Sequence, residues 1–529
     1  MEWRCDGKPR DGNTYPNVYP HSPYNNSEFS EECAQCGLPR SALVSSSKMF
    51  PPSSGIHTIV IIVTATLLGF ATSLVAYMVL VDNSKGSRKP DLDLESPICN
   101  ETPNLFSTGS RILFTSSEDM DRKKGSDRFA EKDYIEAIEF FQRSAGIPHP
   151  HPESVIYLNN AKAQFADSTP YRIAVAIPIA QGQSRAEEIL RGVAHAQTIF
   201  NQKQKQAQQP QLEVEIVNDK NDVTFAKCVA EKLTQDESIL AVIGHGSSKI
   251  TQEVLPIYTK ANLTIISPTS TSTSLGGKTF FRTVPSDQAT GQALANYLES
   301  ISIDRVGIFY IPEDSYSNSL YKAFADSFNG EAKPVPNLDA DDFNPVESLK
   351  SLEEEGISTA ILIPNTDSIS RAVQIADANA QLFSSQKLTL LGGDSLYNSD
   401  FLVNGSSVIA GIVLAVPWYP QNQGYAQKAE NFWGGQVSWR TALSYDAAQA
   451  ITSTLTPGVD RFDLPQELAL INLSSNQTSG NPLRFDSQKN RQSEPQLVQV
   501  CAGVPRPEGA VLGFGSLEIC NENSIVELR

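Results

Sequence analysis

Residues 239–258 read ILAVIGHGSSKITQEVLPIY, and this stretch decides the class of fold. The uncharged run at 239–243 has the length and composition of a buried β-strand. A polar turn follows at 244–248, and apolar residues then recur at helical spacing through 250–260. The stretch therefore predicts a strand that leads through a polar turn straight into a helix.

The same alternation of strand and helix extends in both directions from this unit. It predicts parallel sheets that are covered by helices on both faces, which is an α/β fold of the doubly wound type. About 330 residues are too many for one such unit and are natural for two lobes. The predicted strands are 173–179, 212–217, 239–243, 263–266, 306–310, 359–363 and 388–391, and the predicted helices are 186–200, 225–233, 250–260, 288–301, 315–328, 345–355 and 368–380.

Polar turns follow two neighbouring predicted strands. The turn at 244–248 ends in Ser248 and opens a helix, and the turn at 267–271 contains Thr269 and Thr271. Open parallel sheets bind ligands at the carboxyl ends of their strands, and a helix N-terminus offers N–H groups to an anion. We expect these turns to hold a carboxylate without a fixed cation. No His and Asp pattern accompanies the serines, so the sequence does not predict a nucleophilic enzyme.

Eight ordered stretches of the body carry a family resemblance, namely RIAVAIPI at 172–179, LRGVA at 190–194, VIGHGSSKITQEVLPIY at 242–258, ISPTSTSTSL at 266–275, FRTVPSD at 281–287, VGIFYIPEDSYSNSL at 306–320, LGGDS at 391–395 and SYDAA at 444–448. Together they resemble the type I periplasmic solute-binding proteins, in the branched-chain amino-acid-binding (Leu/Ile/Val-binding) branch of ABC transporters. The resemblance covers residues 171–500. It implies two hinged lobes that close on a small ligand without chemistry.

The resemblance also implies a ligand site between the lobes. Ser248 matches the serine that holds an α-carboxylate through its hydroxyl and backbone, and Thr269 and Thr271 match the pair that shares the carboxylate and the ammonium. Tyr316 matches a tyrosine that lines the cleft. Asp394 matches the position at which the family places a carboxylate, as Glu, for the ammonium. The implied ligand is a small polar molecule, namely an amino acid or a related compound.

Two departures from the family pattern bear on this site. Ser247 stands where some members have a disulfide cysteine. Asn365 and Thr366 replace the aromatic residue expected after the predicted strand at 359–363, so an aromatic face for the ammonium is missing. Helix caps and turns are the alternative interpretation of the Ser, Thr and Asp residues.

A run of 23 residues at 59–81 is apolar and carries no charge. About 20 apolar residues span the hydrocarbon core of a bilayer. A signal peptide has a shorter apolar region that lies nearer to the N-terminus. The run therefore predicts one retained transmembrane helix, which anchors a single-pass protein in the cell membrane. A buried core helix is the alternative, although core helices of this length usually keep a polar face.

The arm before this run, residues 1–58, is rich in Pro, Asn, Ser and Tyr. Cys33 and Cys36 form a CxxC motif, and with Cys5 they supply three thiolates of the kind that bind Zn²⁺. A structural zinc site needs four ligands, so a disordered arm is the equal alternative. Thiols favour a reducing compartment. We therefore expect the arm in the cytoplasm and the large domain outside it, in the periplasm.

A linker and a helical segment are expected between the apolar run and the body. Residues 82–120 are polar and contain Pro, as linkers do. Residues 121–168 resemble one tetratricopeptide repeat (TPR) followed by a third helix. One repeat is fewer than a free-standing array needs. A helical spacer packed on the next domain is therefore the favoured interpretation, and a peptide-binding array is the alternative.

The body is expected to divide where the chain crosses between lobes. Cys501 and Cys520 bracket a segment rich in Gly and Pro, and they are able to form a disulfide outside the cytoplasm. The expected boundaries are lobe 1 at about 171–287 and 418–455, lobe 2 at about 288–417 and 456–500, and a C-terminal tail at 501–529.

The whole chain has 529 residues, with 42 Lys+Arg and 60 Asp+Glu, which gives a net charge of −18. This excess of acid argues against a nucleic-acid partner, because phosphate binding needs clustered Lys and Arg. We expect a solute-binding protein that serves an ABC-type permease or a sensor, with no enzymatic activity and no cofactor in the body. The alternative is an envelope scaffold that binds a protein, as activators of peptidoglycan synthases do, since helical repeats precede this lobed fold there too.

Overall fold

The computed structural model describes residues 3–5, 24–26, 104–115, 119–382, 387–420 and 424–527. The chain divides into two units, Met1–Asp91 and Leu92–Arg529. In the first unit, strands β1 (Trp3–Cys5) and β2 (Tyr24–Asn26) pair antiparallel.

Two sequence predictions fall on residues outside these ranges. The predicted transmembrane run at 59–81 lies outside them, as do Cys33 and Cys36 of the predicted zinc site. Within the described ranges, no helix has both the length and the apolar character needed to cross a membrane.

The second unit contains a six-stranded sheet that forms the centre of lobe 1. The spatial order of its strands is β3-β5-β4-β6-β7-β8, and all are parallel except β3 at the edge. The parallel strands are largely buried, as expected of a sheet covered on both faces. The strands are β3 (Phe106–Ser107), β4 (Tyr171–Ile177), β5 (Leu212–Asn218), β6 (Ile239–Gly244), β7 (Thr264–Ser267) and β8 (Phe280–Arg282).

A seven-stranded sheet forms the centre of lobe 2. Its spatial order is β10-β9-β11-β12-β13-β14-β15, with the first five strands parallel and the last two added antiparallel. The strands are β9 (Arg305–Tyr310), β10 (Glu331–Pro334), β11 (Thr359–Ile363), β12 (Thr389–Gly392), β13 (Val413–Val416), β14 (Gln496–Cys501) and β15 (Gly513–Ser516).

Helices connect the strands and cover the sheets. Several begin at a side chain that caps the first turn, as Asp222, Asp314 and Asn344 do. The α-helices are α1 (Met120–Ala130), α2 (Tyr134–Ala145), α3 (Pro152–Phe165), α4 (Gln183–Ala207), α5 (Val223–Gln235), α6 (Ser248–Lys260), α7 (Asp287–Ser300), α8 (Ser315–Ser327), α9 (Pro345–Glu354), α10 (Ile369–Gln381), α11 (Ser399–Gly405), α12 (Tyr425–Trp433), α13 (Trp439–Thr454), α14 (Leu464–Ala469) and α15 (Leu517–Glu527).

Both lobes repeat one strand order. Within each lobe, the second parallel strand lies outside the first, and the third, fourth and fifth follow on the other side. This is the doubly wound order 2-1-3-4-5, in which ligands bind where the order reverses, beyond the carboxyl ends of the strands. The predicted α/β fold with two lobes is confirmed. The order places the two ligand-binding edges after β4 and β6 in lobe 1 and after β9 and β11 in lobe 2.

The segment predicted to be TPR-like forms α1, α2 and α3, and α3 packs on lobe 1. The side-chain amide of Asn160 donates to the carbonyl of Val214 in β5 (2.7 Å), and Gln197 of α4 donates to Asn160 (2.8 Å). Arg122 and Glu153 form a fully buried ion pair within the segment. Burial raises the pKa of Glu153 to about 7, and Arg122 opposes this rise. The packing is that of a spacer, and the likeness to a TPR stays a prediction.

Two segments expected to be irregular instead join the folded body. Residues 104–115, placed in the linker, contribute β3 to the first sheet and bury Phe114 completely. Residues 501–529, placed in a tail, contain β15, which extends the second sheet. The disulfide Cys501–Cys520 is present and ties α15 to β14, as the sequence allowed. Both segments cover sheet edges, which is favourable because an open edge leaves backbone groups unpaired.

Residues 456–490, expected in lobe 2, lie against lobe 1. Arg461 donates to the carbonyl of Thr234 at the end of α5 (3.1 Å), and the ring of Phe485 packs edge-on against Phe281 of β8 (5.0 Å). This part of the sequence is short of periodic apolar residues. Its placement therefore depends on contacts with residues more than 200 positions earlier, which local patterns do not reveal.

Helices α4 and α13 approach so closely that Gly192 has no room for a side chain. A Cβ atom there would lie 2.2 Å from the carbonyl oxygen of Thr441 and 2.5 Å from the amide nitrogen of Tyr445. We expect Gly192→Ala to lower the free energy of unfolding by about 1–3 kcal/mol, because both clashes are with backbone. Denaturant unfolding measures this. Gly276→Ala is the control, since nothing lies within 4 Å of its Cβ position. Equal losses in the two variants would contradict the prediction.

Candidate functional site

A cavity of about 220 Å³ lies between the lobes, beyond the carboxyl ends of the parallel strands. Ligand sites of drug-sized molecules reach about 300–1,000 Å³, so this cavity suits a smaller molecule. Lobe 1, lobe 2 and the start of α13 all contribute walls. The lining residues are Gln181, Asn221, Gly246, Ser247, Ser248, Lys249, Thr269, Asp314, Tyr316, Asn365, Thr366, Asp367, Asp394, Ser395, Trp439 and Arg440.

The lobe 1 wall is the N-terminus of α6. Ser247 caps this helix by accepting from the amide of Ile250 (3.4 Å), and the next residue, Ser248, lines the cavity. Helix geometry leaves the first amides without intrahelical acceptors and with a partial positive charge. Thr269 lies beside them, and its hydroxyl donates to the carbonyls of His245 and Gly246 at 3.3 Å. The proton of the Thr269 hydroxyl is thus engaged, whereas the Ser248 hydroxyl accepts from the amide of Ser272 (3.3 Å) and keeps its own proton. This wall therefore offers the Ser248 hydroxyl and the helix amides as donors to an anion.

The lobe 2 wall contains a buried carboxylate. Asp394 begins a 3₁₀ turn directly after β12, and its Oδ1 accepts from the hydroxyl of Tyr316 in α8 (3.0 Å). Gly393 makes this contact possible, since a Cβ there would lie 2.6 Å from the Tyr316 oxygen. Asp394 is 5 % exposed and lines the cavity. This wall therefore presents negative charge to a cation.

Two acidic groups near this wall have raised pKa values. Burial raises the pKa of Asp394 to about 6, while the Tyr316 hydrogen bond and Arg440 oppose the rise. Burial and the charge of Asp394 raise the pKa of Asp287 to about 7. Both carboxyls therefore lack enough compensation in the described residues for their ionised forms, and an ammonium in the cavity would supply it to Asp394, the one that lines it.

The cavity floor is formed by the first turn of α13, which begins after Ser438. The indole of Trp439 donates to the carbonyl of Tyr397 (3.2 Å) and so connects α13 to lobe 2. Arg440 follows, is 3 % exposed, and donates to Glu188 of α4 (3.3 Å). Burial lowers the pKa of Arg440. The floor therefore carries a buried cation.

The structure brings four of the five predicted ligand residues together. Ser248, Thr269, Tyr316 and Asp394 all line the cavity, while Thr271 does not. The shared cavity places these four residues in one site, and their contacts with a ligand stay a prediction.

Thr271 is held away from the cavity by the architecture of its loop. It is 1 % exposed, and its carbonyl accepts from the guanidinium of Arg282 (2.7 Å) and from the amide of Asp287 (2.9 Å). Arg282 also donates to the carbonyls of Ser272 (2.9 Å) and Leu275 (2.7 Å). The buried guanidinium thus fixes the loop from within and turns Thr271 inward.

Sequence reasoning missed Arg440 as a cavity residue. It lies four positions before the SYDAA stretch, in a segment that reads as an ordinary helix start. One signal was present, because a cation in the first turn opposes the helix dipole. The side chain Glu188 that holds it lies 252 residues earlier. Asn365 and Thr366, noted as departures from the family pattern, do line the cavity.

Hydrogen bonds join the two lobes at the rim of the cavity. Asp367 of lobe 2 accepts from the guanidinium of Arg185 and from the side chain of Asn221, both in lobe 1 and both at 3.2 Å. Ser315 of α8 donates to Gln252 of α6 (2.7 Å). These rim bonds show that the lobes are in contact across the cleft.

A buried ionic network lies where the chain crosses between lobes. Arg491, which precedes β14, pairs with Asp446 of α13, and both side chains are at most 2 % exposed. Asp446 also accepts from the amide and the hydroxyl of Ser479 (2.6 and 2.7 Å), and Arg491 donates to the carbonyl of Thr283 after β8 (3.3 Å). The network ties together the segments that cross between the lobes.

The described residues contain no group of three or more His, Cys, Asp or Glu side chains placed to hold a metal ion. The predicted zinc site depends on Cys33 and Cys36, which the described ranges do not include. Zinc in the arm therefore stays a prediction.

Two doubly wound lobes, joined by crossing segments and enclosing one polar cavity at the carboxyl ends of their strands, define a class of two-lobed ligand-binding proteins. The chain belongs to the periplasmic binding protein family, whose model matches residues 179–457, more than half of the chain. The family is one of substrate-binding proteins, consistent with the expectation that the chain is not an enzyme.

Solved structures with the same fold are found among substrate-binding proteins. One is the ABC transporter substrate-binding protein from Desulfitobacterium hafniense in complex with Leu, 21% identical with a TM-score of 0.52, covering 65% of this chain and 100% of that chain. A leucine binding protein from Thermotoga maritima is 19% identical, with a TM-score of 0.55 and coverage of 65% and 97%. At these identities, the likeness shows the fold alone.

A third structure carries a different ligand of the same kind. The branched-chain amino acid transporter substrate binding protein from Streptococcus pneumoniae, in complex with isoleucine, is 17% identical, with a TM-score of 0.54 and coverage of 65% of this chain and 100% of that chain. A comparison with curated proteins gives no match.

Proposed function

We propose that this protein is a membrane-anchored, extracytoplasmic solute-binding protein that captures an α-amino acid between its two lobes. The loaded protein would deliver its ligand to an ABC-type permease or report it to a sensor. The fold and the family support ligand capture. The amino acid is supported by the chemistry of the cavity and by the ligands of the solved structures with this fold.

The observation that carries this proposal is the opposed polarity of the cavity walls. Ser248 and the N-terminus of α6 offer donors on lobe 1, beside Thr269, while Asp394 and Tyr316 offer a carboxylate and a hydroxyl on lobe 2. An α-amino acid carries a carboxylate and an ammonium on one carbon. It would satisfy both walls at once and so favour the closed arrangement of the lobes.

Capture requires no covalent chemistry. In the closed arrangement, the rim bonds of Asp367 with Arg185 and Asn221 form together with the contacts to the ligand. The surface created by closure is then different from the surface of the open protein. A permease or sensor would recognise this difference, since a ligand shifts the equilibrium by its differential affinity for the two states.

The membrane location rests on the apolar run at 59–81, which is long enough to span a bilayer. The arm at 1–58 would then lie in the cytoplasm, where Cys5, Cys33 and Cys36 would be reduced and available to Zn²⁺. The body would lie outside, where the disulfide Cys501–Cys520 is stable.

Isothermal titration of the full chain against the standard amino acids tests this function. We expect at least one α-amino acid to bind with micromolar affinity or better. Its decarboxylated amine and its 2-hydroxy acid analogue should each bind at least about tenfold more weakly, because each leaves the polar groups of one wall without a partner. If no amino acid binds, the transport interpretation fails. The envelope scaffold, which binds a protein partner, then becomes the better explanation.

A further inference from the structure

Arg440 occupies an unfavourable position on the cavity floor. It is 3 % exposed, and it lies two residues after the N-cap of α13, Ser438. The N-terminus of a helix disfavours positive charge, and burial lowers the pKa of Arg440. Two separate costs therefore act on one side chain. Such local conflicts are typical of functional sites.

The guanidinium of Arg440 carries more N–H donors than there are acceptors for it among the described residues. Arginine carries five N–H donors in a planar fork. Among the residues that the structure describes, Glu188 is its one hydrogen-bond acceptor, through a single contact of 3.3 Å. Thr441 donates its hydroxyl to the carbonyl of Glu188 (2.8 Å), which fixes the position of that partner. Buried donors need acceptors. Since Arg440 lines the cavity, the remaining acceptor belongs in the cavity.

Among the acids of the lining, Asp394 acts on Arg440 through its charge but accepts no hydrogen bond from it in the described residues, and the other two are engaged elsewhere. Asp314 accepts from the amides of Tyr316 and Ser317 (3.0 and 2.9 Å) and from the side chain of Asn365 (3.1 Å). Asp367 is occupied by the rim bonds. Neither acid is therefore free to neutralise Arg440.

We propose that the ligand is an α-amino dicarboxylate, such as an acidic amino acid, and that Arg440 binds its second carboxylate. The proposal rests on the function proposed above. Its α-carboxylate would lie at Ser248 and the start of α6, and its ammonium at Asp394. A guanidinium pairs with a carboxylate through two parallel hydrogen bonds, which adds geometric selectivity. The exposed Lys249 at the cavity adds positive charge that attracts an anion from solution.

A branched aliphatic ligand fits this cavity less well. Asn365 and Thr366 line the position where the family resemblance implies an aromatic residue, so the surface there is polar. The apolar side chain of such a ligand, placed against Arg440, would leave the N–H donors of the guanidinium without acceptors. Sites built to hydrogen-bond a ligand group discriminate strongly against analogues that lack the group.

Titration of the full chain with matched pairs of ligands tests this proposal. The probes are L-glutamate with L-glutamine, L-aspartate with L-asparagine, and L-leucine. Each acid differs from its amide by one charge and little shape. We expect at least one acid to bind about tenfold to a hundredfold more tightly than its amide. We expect leucine to bind more weakly than that acid.

Variants then assign the preference to Arg440. Arg440→Gln should reduce the affinity for the preferred acid by at least about tenfold and leave the affinity for its amide within about threefold, while Arg440→Lys should keep part of the preference. The double variant Arg440→Gln/Glu188→Gln removes both members of the Arg440–Glu188 pair, so Glu188 is not left without its partner, and it keeps the test valid if the single variant unfolds. Arg185→Gln is the matched control: it removes a nearby cation at the rim, weakens all ligands alike and keeps the ratio of acid to amide.

The outcomes separate this proposal from the function on which it rests. If leucine or the amides bind more tightly than the acids, amino-acid capture stands and the acidic ligand is excluded. If the acids are preferred but Arg440→Gln keeps their preference, another group binds the second carboxylate. If none of the five ligands nor any other amino acid binds, both proposals fail together.

Discussion

Asp394→Asn is expected to weaken amino-acid binding by at least about a hundredfold, because an amide replaces the charge that faces the ammonium. The same change should make the empty protein more stable. The pKa of Asp394 is about 6 against an ordinary value of 3.8. At neutral pH the folded protein therefore bears an ionised carboxylate in a site that favours the neutral form. Two pKa units correspond to about 3 kcal/mol, which the variant would recover.

The pH dependence of this gain has a definite sign. Below about pH 4 the carboxyl is protonated in both the folded and the unfolded protein, so wild type and Asp394→Asn should be equally stable. The gain should grow between pH 4 and pH 6, where the unfolded chain releases a proton that the folded protein retains. Above about pH 6 it should be constant. Titration calorimetry gives the affinity, and urea unfolding at several pH values gives the stability.

Asp326→Asn is the matched control for this experiment. It removes one carboxylate from the exposed face of α8, the helix that also carries Tyr316. It should change neither affinity nor stability by more than about 0.5 kcal/mol. A stable Asp394→Asn protein that binds its amino acid as well as wild type would remove Asp394 from the site.

Asp446→Ala is expected to lower the free energy of unfolding by about 3–5 kcal/mol, because it leaves Arg491 charged and buried without its partner. Ser479 loses two hydrogen bonds at the same time. Replacing both members of the pair, as in Asp446→Asn/Arg491→Met, should cost less than Asp446→Ala alone, since no unpaired charge then remains. Urea unfolding of wild type, Asp446→Asn, Arg491→Met and the double variant forms a complete cycle. Additive losses would show that the two residues act independently.

The parallel sheets of the two lobes were predictable because the sequence patterns that indicate their strands and helices are local. Residues 239–260 carry a strand, a turn and a helix within one short window, and the observed β6 and α6 differ from the expected bounds by two residues or fewer. Ser248 and Thr269 reach the cavity because the carboxyl ends of neighbouring parallel strands meet at one edge. Hydrophobic periodicity therefore predicts the strands and helices, and the topology of parallel sheets predicts the edge at which Ser248 and Thr269 lie.

The parts that were not predictable depend on distant contacts. The position of Arg440 depends on its ion pair with Glu188, which lies 252 residues away, and the rim depends on the pair of Arg185 and Asp367, which are 182 residues apart. Thr271 differs from Thr269 by two positions, and its backbone is held away from the cavity by hydrogen bonds from the buried guanidinium of Arg282 and from the amide of Asp287. Very short strands such as β3 carry too few residues to show a period.

The rim bonds have a consequence for the fidelity of the signal that this protein would send. They join the lobes directly, so they favour the closed shape of an empty molecule as much as that of a loaded one. Asp367 of the Arg185–Asp367 pair is 57 % exposed, and such pairs contribute about 0–1 kcal/mol. A stronger rim would raise the apparent affinity. It would also populate closed molecules without ligand, which the receiving partner would recognise as loaded. If the protein captures a ligand as proposed, a weak rim would make closure depend on the ligand and would keep the population of empty, closed molecules small.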